Sequence, residues 1–111
     1  MRNKKVMLIQ PMAGRSEEDI KRERKMITES IEQNGGEVIN TLFTEEAPKE
    51  AKQGLYYLGK SIQAMAEADS VLLLPNWRDA RGCRIEAECA SAYGLEVVEM
   101  KLTRGDEADD K

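Results

Sequence analysis

The chain has 111 residues, two cysteines and no histidine, with a formal net charge of -4 and a pI near 5.0. At 34% charged and 41% hydrophobic it has the composition of one ordinary soluble α/β-sized domain. The acidic balance argues against a sequence-independent grip on nucleic acid, and the missing histidine excludes Ser-His and Cys-His nucleophile pairs and every histidine-based metal site.

Met1-Arg-Asn-Lys-Lys5 has the charge of a signal n-region, but the apolar run behind it stops at Gln10. That run is too short for a signal h-region or a bilayer span, so a cytoplasmic protein without a membrane partner is expected. Residues 5–10 read as a first strand buried on both faces and ended by Pro11. The turn from Pro11 to Ser16 contains Gly14, which is free to take a positive φ. Ser16 followed by Asp19 resembles a capping box, and Glu17, Glu18 and Asp19 suit the positive end of a helix over residues 17–34. This helix is expected to bury Ile20, Ile27 and Ile31, with Lys21, Arg22, Arg24 and Lys25 as its solvated face. Asn34-Gly35-Gly36 is a C-terminal stop.

Residues 37–43, β-branched and aromatic, read as a second strand. Residues 44–54, with Pro48 and many charges, read as a mobile loop and a candidate cover for a site. A second helix is expected over residues 55–68, burying Leu55, Leu58, Ile62 and Met65, with Gly59 as a weak point. The apolar run Val71-Leu-Leu-Leu74 is too short for a helix and fits a central buried strand. Pro75 ends it, a polar loop follows to Gly82, and helical spacing resumes at Cys83. Glu86 then falls in the first helical turn, where the dipole favours an ionised carboxylate, a position that acidic residues also occupy for purely structural reasons. Cys89 reads as core and Cys83, at the helix start, as the more reactive thiol. Tyr93-Gly94 ends this helix, residues 96–101 form a fourth strand, and residues 103–111 are an acidic tail beyond a single domain over residues 1–102.

The order βαβαβαβ with short connections predicts an α/β fold: one open parallel sheet of strand order 2-1-3-4, helices on both faces, flavodoxin- or Rossmann-like. Its switch point lies between the first and third strands, where ligands bind in such sheets. The loops at residues 11–16 and 75–82 meet there, gathering Gly14, Arg15, Ser16, Trp77, Arg81 and Glu86 around one crevice. Arg15 and the adjoining helix N-terminus can hold an anion, or Arg15 can simply pair with the acids that follow it. Trp77 can stack a base, cover a sheet end or meet another subunit.

Pro11-Met-Ala-Gly14, Glu67-Ala-Asp69, Leu74-Pro-Asn-Trp77 and the run from Arg81 to Ala90 together resemble the nucleoside 2-deoxyribosyltransferase-like superfamily, nearest its small phage- and Firmicute-type branch. The resemblance covers residues 5–98, and its most specific part is Gly82, Glu86 and Ala90 at the spacing of that family's Gly-x-x-x-Glu-x-x-x-Ala signature. It implies that Glu86 is the nucleophile on an anomeric carbon, acting on a nucleoside or a nucleoside 5′-monophosphate without metal or cofactor. Substrate contacts are implied from Met12, Gly14, Arg15, Ser16, Ser61, Asn76, Trp77, Arg81 and Gly82. Ser61 stands where the family usually carries Asp, and Glu88 where it usually carries a small residue, so Asp79 is the candidate to protonate the departing base. Small members of the superfamily assemble, which implies a homodimer or larger homo-oligomer. Three functions are therefore expected to compete: an N-glycosidic hydrolase or transferase, a non-catalytic nucleotide-binding module, and an oligomeric interaction protein.

Overall fold

The computed structural model describes residues 4–100; the acidic tail, the boundary at residue 102 and the end of the fourth strand at Lys101 lie outside them. Four parallel strands, β1 (Lys5–Ile9), β2 (Glu37–Val38), β3 (Ser70–Leu73) and β4 (Glu96–Glu99), form one sheet in the order β2-β1-β3-β4. Between them run α1 (Glu17–Gln33), α2 (Gln53–Met65) and α3 (Arg81–Ala92), with a single 3-10 turn at Trp77–Asp79. The expected parallel sheet, its order and its helices on both faces are therefore those of the molecule.

Alternation along the central strands builds two cores. Val6 and Leu8 of β1 join Leu74 beneath Ile27 and Ile31 of α1. Met7 and Ile9 join Val71 and Leu73 beneath Met65 and Ala68 at the end of α2 and Cys83, Ala87 and Ala90 of α3. Each such aliphatic side chain contributes about 1.5–3 kcal/mol when fully buried, so these two stripes dominate the stability of the sheet. Asp69, just before β3, accepts from the Lys5 amide at 2.8 Å and pins the start of β1 to its neighbour.

Helix ends follow the chemistry of their sequences. Ser16 Oγ accepts from the Asp19 amide at 3.0 Å, capping α1 as its pattern predicts. Gly35 (φ 91°) and Gly94 (φ 82°) take the left-handed conformation that ends α1 and α3, and the Gly36 and Leu95 amides reach back to Ile31 and Ala90.

Four local expectations are corrected. The second strand is only Glu37–Val38; beyond it Asn40 Oδ1 accepts from the Leu42 amide, a local bond that turns the chain out of the ladder. Of the expected α2 stripe only Met65 is fully buried: Leu58 and Ile62 are half-buried, and Leu55 is 64% exposed on the first turn. In α3 the stripe is Cys83, Ala87 and Ala90, so Cys83 is buried, Cys89 only half-buried and Ile85 exposed. Finally, α3 begins at Arg81, two residues earlier than the apolar spacing indicates, and Glu86 therefore lies in its second turn.

Candidate functional site

Beyond the C-terminal ends of β1 and β3 lies a cavity of about 640 Å³. Its floor is Gln10, at the end of β1, with Met12 and Ala13 from the following turn. The start of α3 and the turn before it contribute Asp79, Arg81, Gly82, Cys83 and Glu86. From α2 come Tyr57, Leu58 and Ser61, and the segment after β2 adds Thr41, Leu42 and Phe43. One wall is thus aromatic and aliphatic while the other carries carboxylates, a guanidinium and an amide, the mixture that holds a planar organic ligand with a polar end.

Glu86 is half-buried in this cavity. Burial pushes its carboxyl up to about 7, only partly offset by the Ser61 hydroxyl beside it and by the guanidinium of Arg24. The ionised form that a first-turn position would favour is less favoured here for two reasons: a second-turn residue is beyond the reach of the helix dipole, and the apolar walls strip water from the carboxylate. Glu86 is instead poised to exchange a proton near neutrality. One turn earlier, burial and the Glu86 charge push the Cys83 thiol up to about 12, which makes it an inert lining group rather than the reactive cysteine.

Of the residues the sequence singles out, Met12, Ser61, Asp79, Arg81, Gly82 and Glu86 converge on the cavity. Gly14, Arg15, Ser16, Asn76 and Trp77 do not line it. Gly14 turns the chain at φ 77°, and Ser16 is spent on the cap of α1. Arg15 is held by Asp19 at 2.8 Å, Glu23 at 2.9 Å and the Pro11 carbonyl at 2.9 Å. Asn76 adopts a left-handed conformation (φ 69°) that starts the 3-10 turn. Trp77 packs beside the core, its indole N–H donating to Glu99 at 3.1 Å and one ring face lying 4.6 Å from the Arg78 guanidinium.

Sequence reading missed Gln10, Phe43, Tyr57 and Leu58 as lining residues. Gln10 carried a signal, being the polar residue that ends an apolar strand run, whereas Phe43 reaches the cavity because the chain leaves the sheet after Val38 and Tyr57 reaches it from α2. Among the described residues no three Cys, Asp or Glu side chains gather as a metal site, and no helix is long and apolar enough to cross a membrane.

The sequence model of one family, a domain of unknown function (DUF4406), matches residues 4–99, nearly the whole described chain. Neither a curated protein nor a solved structure matches.

Proposed function

The chain belongs to the DUF4406 family, and from that premise we propose that it cleaves or transfers the N-glycosidic bond of a nucleoside or nucleoside 5′-monophosphate, as its resemblance to nucleoside 2-deoxyribosyltransferase-like proteins implies. The observation that carries this reading is Glu86, half-buried in the switch-point cavity with the Ser61 hydroxyl beside it and an aromatic and aliphatic wall opposite. In the proposed reaction a Glu86 oxygen attacks the anomeric carbon as the carbon–nitrogen bond breaks, and the base leaves with that bond's electron pair. Asp79, in the same cavity, delivers the proton that the departing base takes up. Water or a second base then displaces Glu86 from the glycosyl ester. Phe43 and Tyr57 offer ring surface for the base, taking the role first considered for Trp77.

The test is base release, followed by chromatography, from a panel of nucleosides and 5′-monophosphates. Glu86→Gln keeps the size of the side chain and removes the attacking charge, so release should fall by orders of magnitude while binding persists. Glu88→Gln, an exposed position on another face of α3, should leave release unchanged. Equal release by wild type and Glu86→Gln overturns the nucleophile assignment.

A second reading is favoured by one feature: Ser61 supplies a neutral hydroxyl where the resembling enzymes carry a carboxylate. A nucleotide-binding module would show saturable calorimetric binding of the same ligands and no release by any variant. We further propose that the chain assembles as a homo-oligomer, for which Leu55 (64% exposed) and Ile85 (43%) offer apolar surface. Sedimentation as a 12.5 kDa monomer at micromolar concentration would exclude it.

A further inference from the structure

Arg24 has no part in the reaction just described, and its placement is unusual. It lies on α1 between exposed residues such as Arg22 and Lys25, yet is itself only 8% exposed. Its Nε donates to Gln10 Oε1 at 3.1 Å. The Gln10 amide is fixed in that orientation, because Nε2 donates to the Ile20 carbonyl at 3.1 Å and to Glu23 Oε1 at 2.9 Å, leaving Oε1 to face Arg24. Glu23 is itself bound by Arg15, and among the described residues Arg24 forms no ion pair. A nearly buried guanidinium without a contacting carboxylate is costly to keep, and burial pulls its pKa down while Glu86 and then Glu23 act to hold the proton.

Gln10 is the link between this cation and the cavity, since it tethers Arg24 on one side and lines the cavity with Glu86 on the other. We propose that Arg24, oriented by Gln10, is the positioning residue that keeps the Glu86 carboxylate chargeable. It does so from behind the cavity wall, without occupying the carboxylate oxygens. A guanidinium in direct contact would claim the electron pairs that Glu86 needs for attack; one set back supplies field and leaves them free.

The other groups around Glu86 do not take this role. On α2, Ser61 is neutral and Tyr57 has its hydroxyl committed to Glu45 and Ala47. On α3 itself Cys83 stays protonated. Asp79, as a carboxyl group, cannot supply a positive charge, and Arg81 is exposed, so water screens it. Behind the wall, Arg15 is paired with Asp19 and Glu23 and contributes little net field.

The inference rests on Glu86 as the chemical centre of the cavity, but its test needs no turnover. In protein labelled with carbon-13 at the glutamate carboxyl, the Glu86 resonance is identified by its loss in Glu86→Gln and followed against pH. The wild-type midpoint should fall near 7. Arg24→Met should raise it by about one unit, a tenfold change in the ionisation constant, and Arg24→Lys should restore most of that change. A folded Arg24→Met protein with an unmoved midpoint overturns the proposal, as does a Lys variant displaced as far as Met. If circular dichroism shows that Arg24→Met does not fold, Gln10→Met keeps the guanidinium and removes its tether. A raised midpoint there supports the assignment, and one equal to wild type overturns it. Midpoints that move as expected in a protein that releases no base would uphold the positioning role and sink the glycosidase reading.

Discussion

The Tyr57 hydroxyl donates to the Glu45 carbonyl at 2.6 Å and accepts from the Ala47 amide at 3.1 Å, so one α2 side chain fastens the segment that follows β2. Next to it Tyr56 donates to the Glu45 carboxylate, which also pairs with Lys60 at 3.0 Å. These bonds hold Glu45 below the usual carboxylate range, through the Tyr56 hydrogen bond first and Lys60 second. The expected mobile loop is thus strapped to α2 at the point where Leu42 and Phe43 enter the cavity wall.

Tyr57→Phe tests that strap. It removes both hydrogen bonds and keeps the ring, at a cost of about 1 kcal/mol in local opening. Hydrogen exchange at the Ala47 amide should accelerate about fivefold, while amides of β1 and β3 keep their protection. Unchanged exchange at Ala47 would mean that burial of Leu42 and Phe43 alone seats the segment.

Gly82 offers a separation of binding from folding. A Cβ built at Gly82 meets no atom within 4 Å, although the residue lines the cavity on the first turn of α3. Gly82→Ala should therefore fold with unchanged or slightly raised stability, since Ala suits a helix better by up to about 1 kcal/mol. Ligand affinity should nevertheless drop, because the methyl group enters space the ligand needs. Calorimetry beside a thermal melt reads both; unchanged affinity would place the ligand elsewhere in the cavity.

The sheet was legible because period-two burial, short connections and right-handed crossovers leave few arrangements for a βαβαβαβ chain. Glu86 was legible for a related reason, since a helix that follows a buried strand starts at the switch point, whereas Gly82 was singled out by the family resemblance. Arg24 was misplaced although its spacing carried a signal. It stands on the stripe of Ile20, Ile27 and Ile31, and only its charge assigned it to the solvated face with Arg22 and Lys25; Gln10 is the polar neighbour that lets it stay inside. The raised proton affinity of Glu86 was not legible, since it depends on walls from α2 and the segment after β2 that no local pattern specifies.

Two glycines should respond oppositely to Ala. Gly59 is in the middle of α2, exposed, with open space where a Cβ would sit, so Gly59→Ala should stabilise by about 0.5–1 kcal/mol. Gly94 has equal space but φ 82°, which an L side chain adopts only under strain, so Gly94→Ala should destabilise by about 1 kcal/mol or more. Urea unfolding of both variants checks the pair, and equal shifts would contradict it.

With no histidine in the chain, the titration of Glu86 is unusually visible near neutral pH. Its folded-state pKa is about 7 against an ordinary 4.5, so the folded protein holds this proton more tightly than the unfolded chain. The resulting stabilisation is fully present below about 4.5 and is lost as pH rises through about 7, where folding must bury a charge. Glu86→Gln mimics the protonated state at every pH. Wild type and variant should therefore match near pH 4.5, and the variant should become the more stable above pH 7. Because Glu86 is only half-buried and partly screened by water, the gain should be about 1–2 kcal/mol rather than the full value of the displaced proton equilibrium. Thermal melts of both proteins between pH 4.5 and 8.5 measure the difference directly, and titrations common to both cancel from it. Parallel curves across that range would mean that the carboxylate is solvated when charged, and the dry cavity wall around it would have to be abandoned.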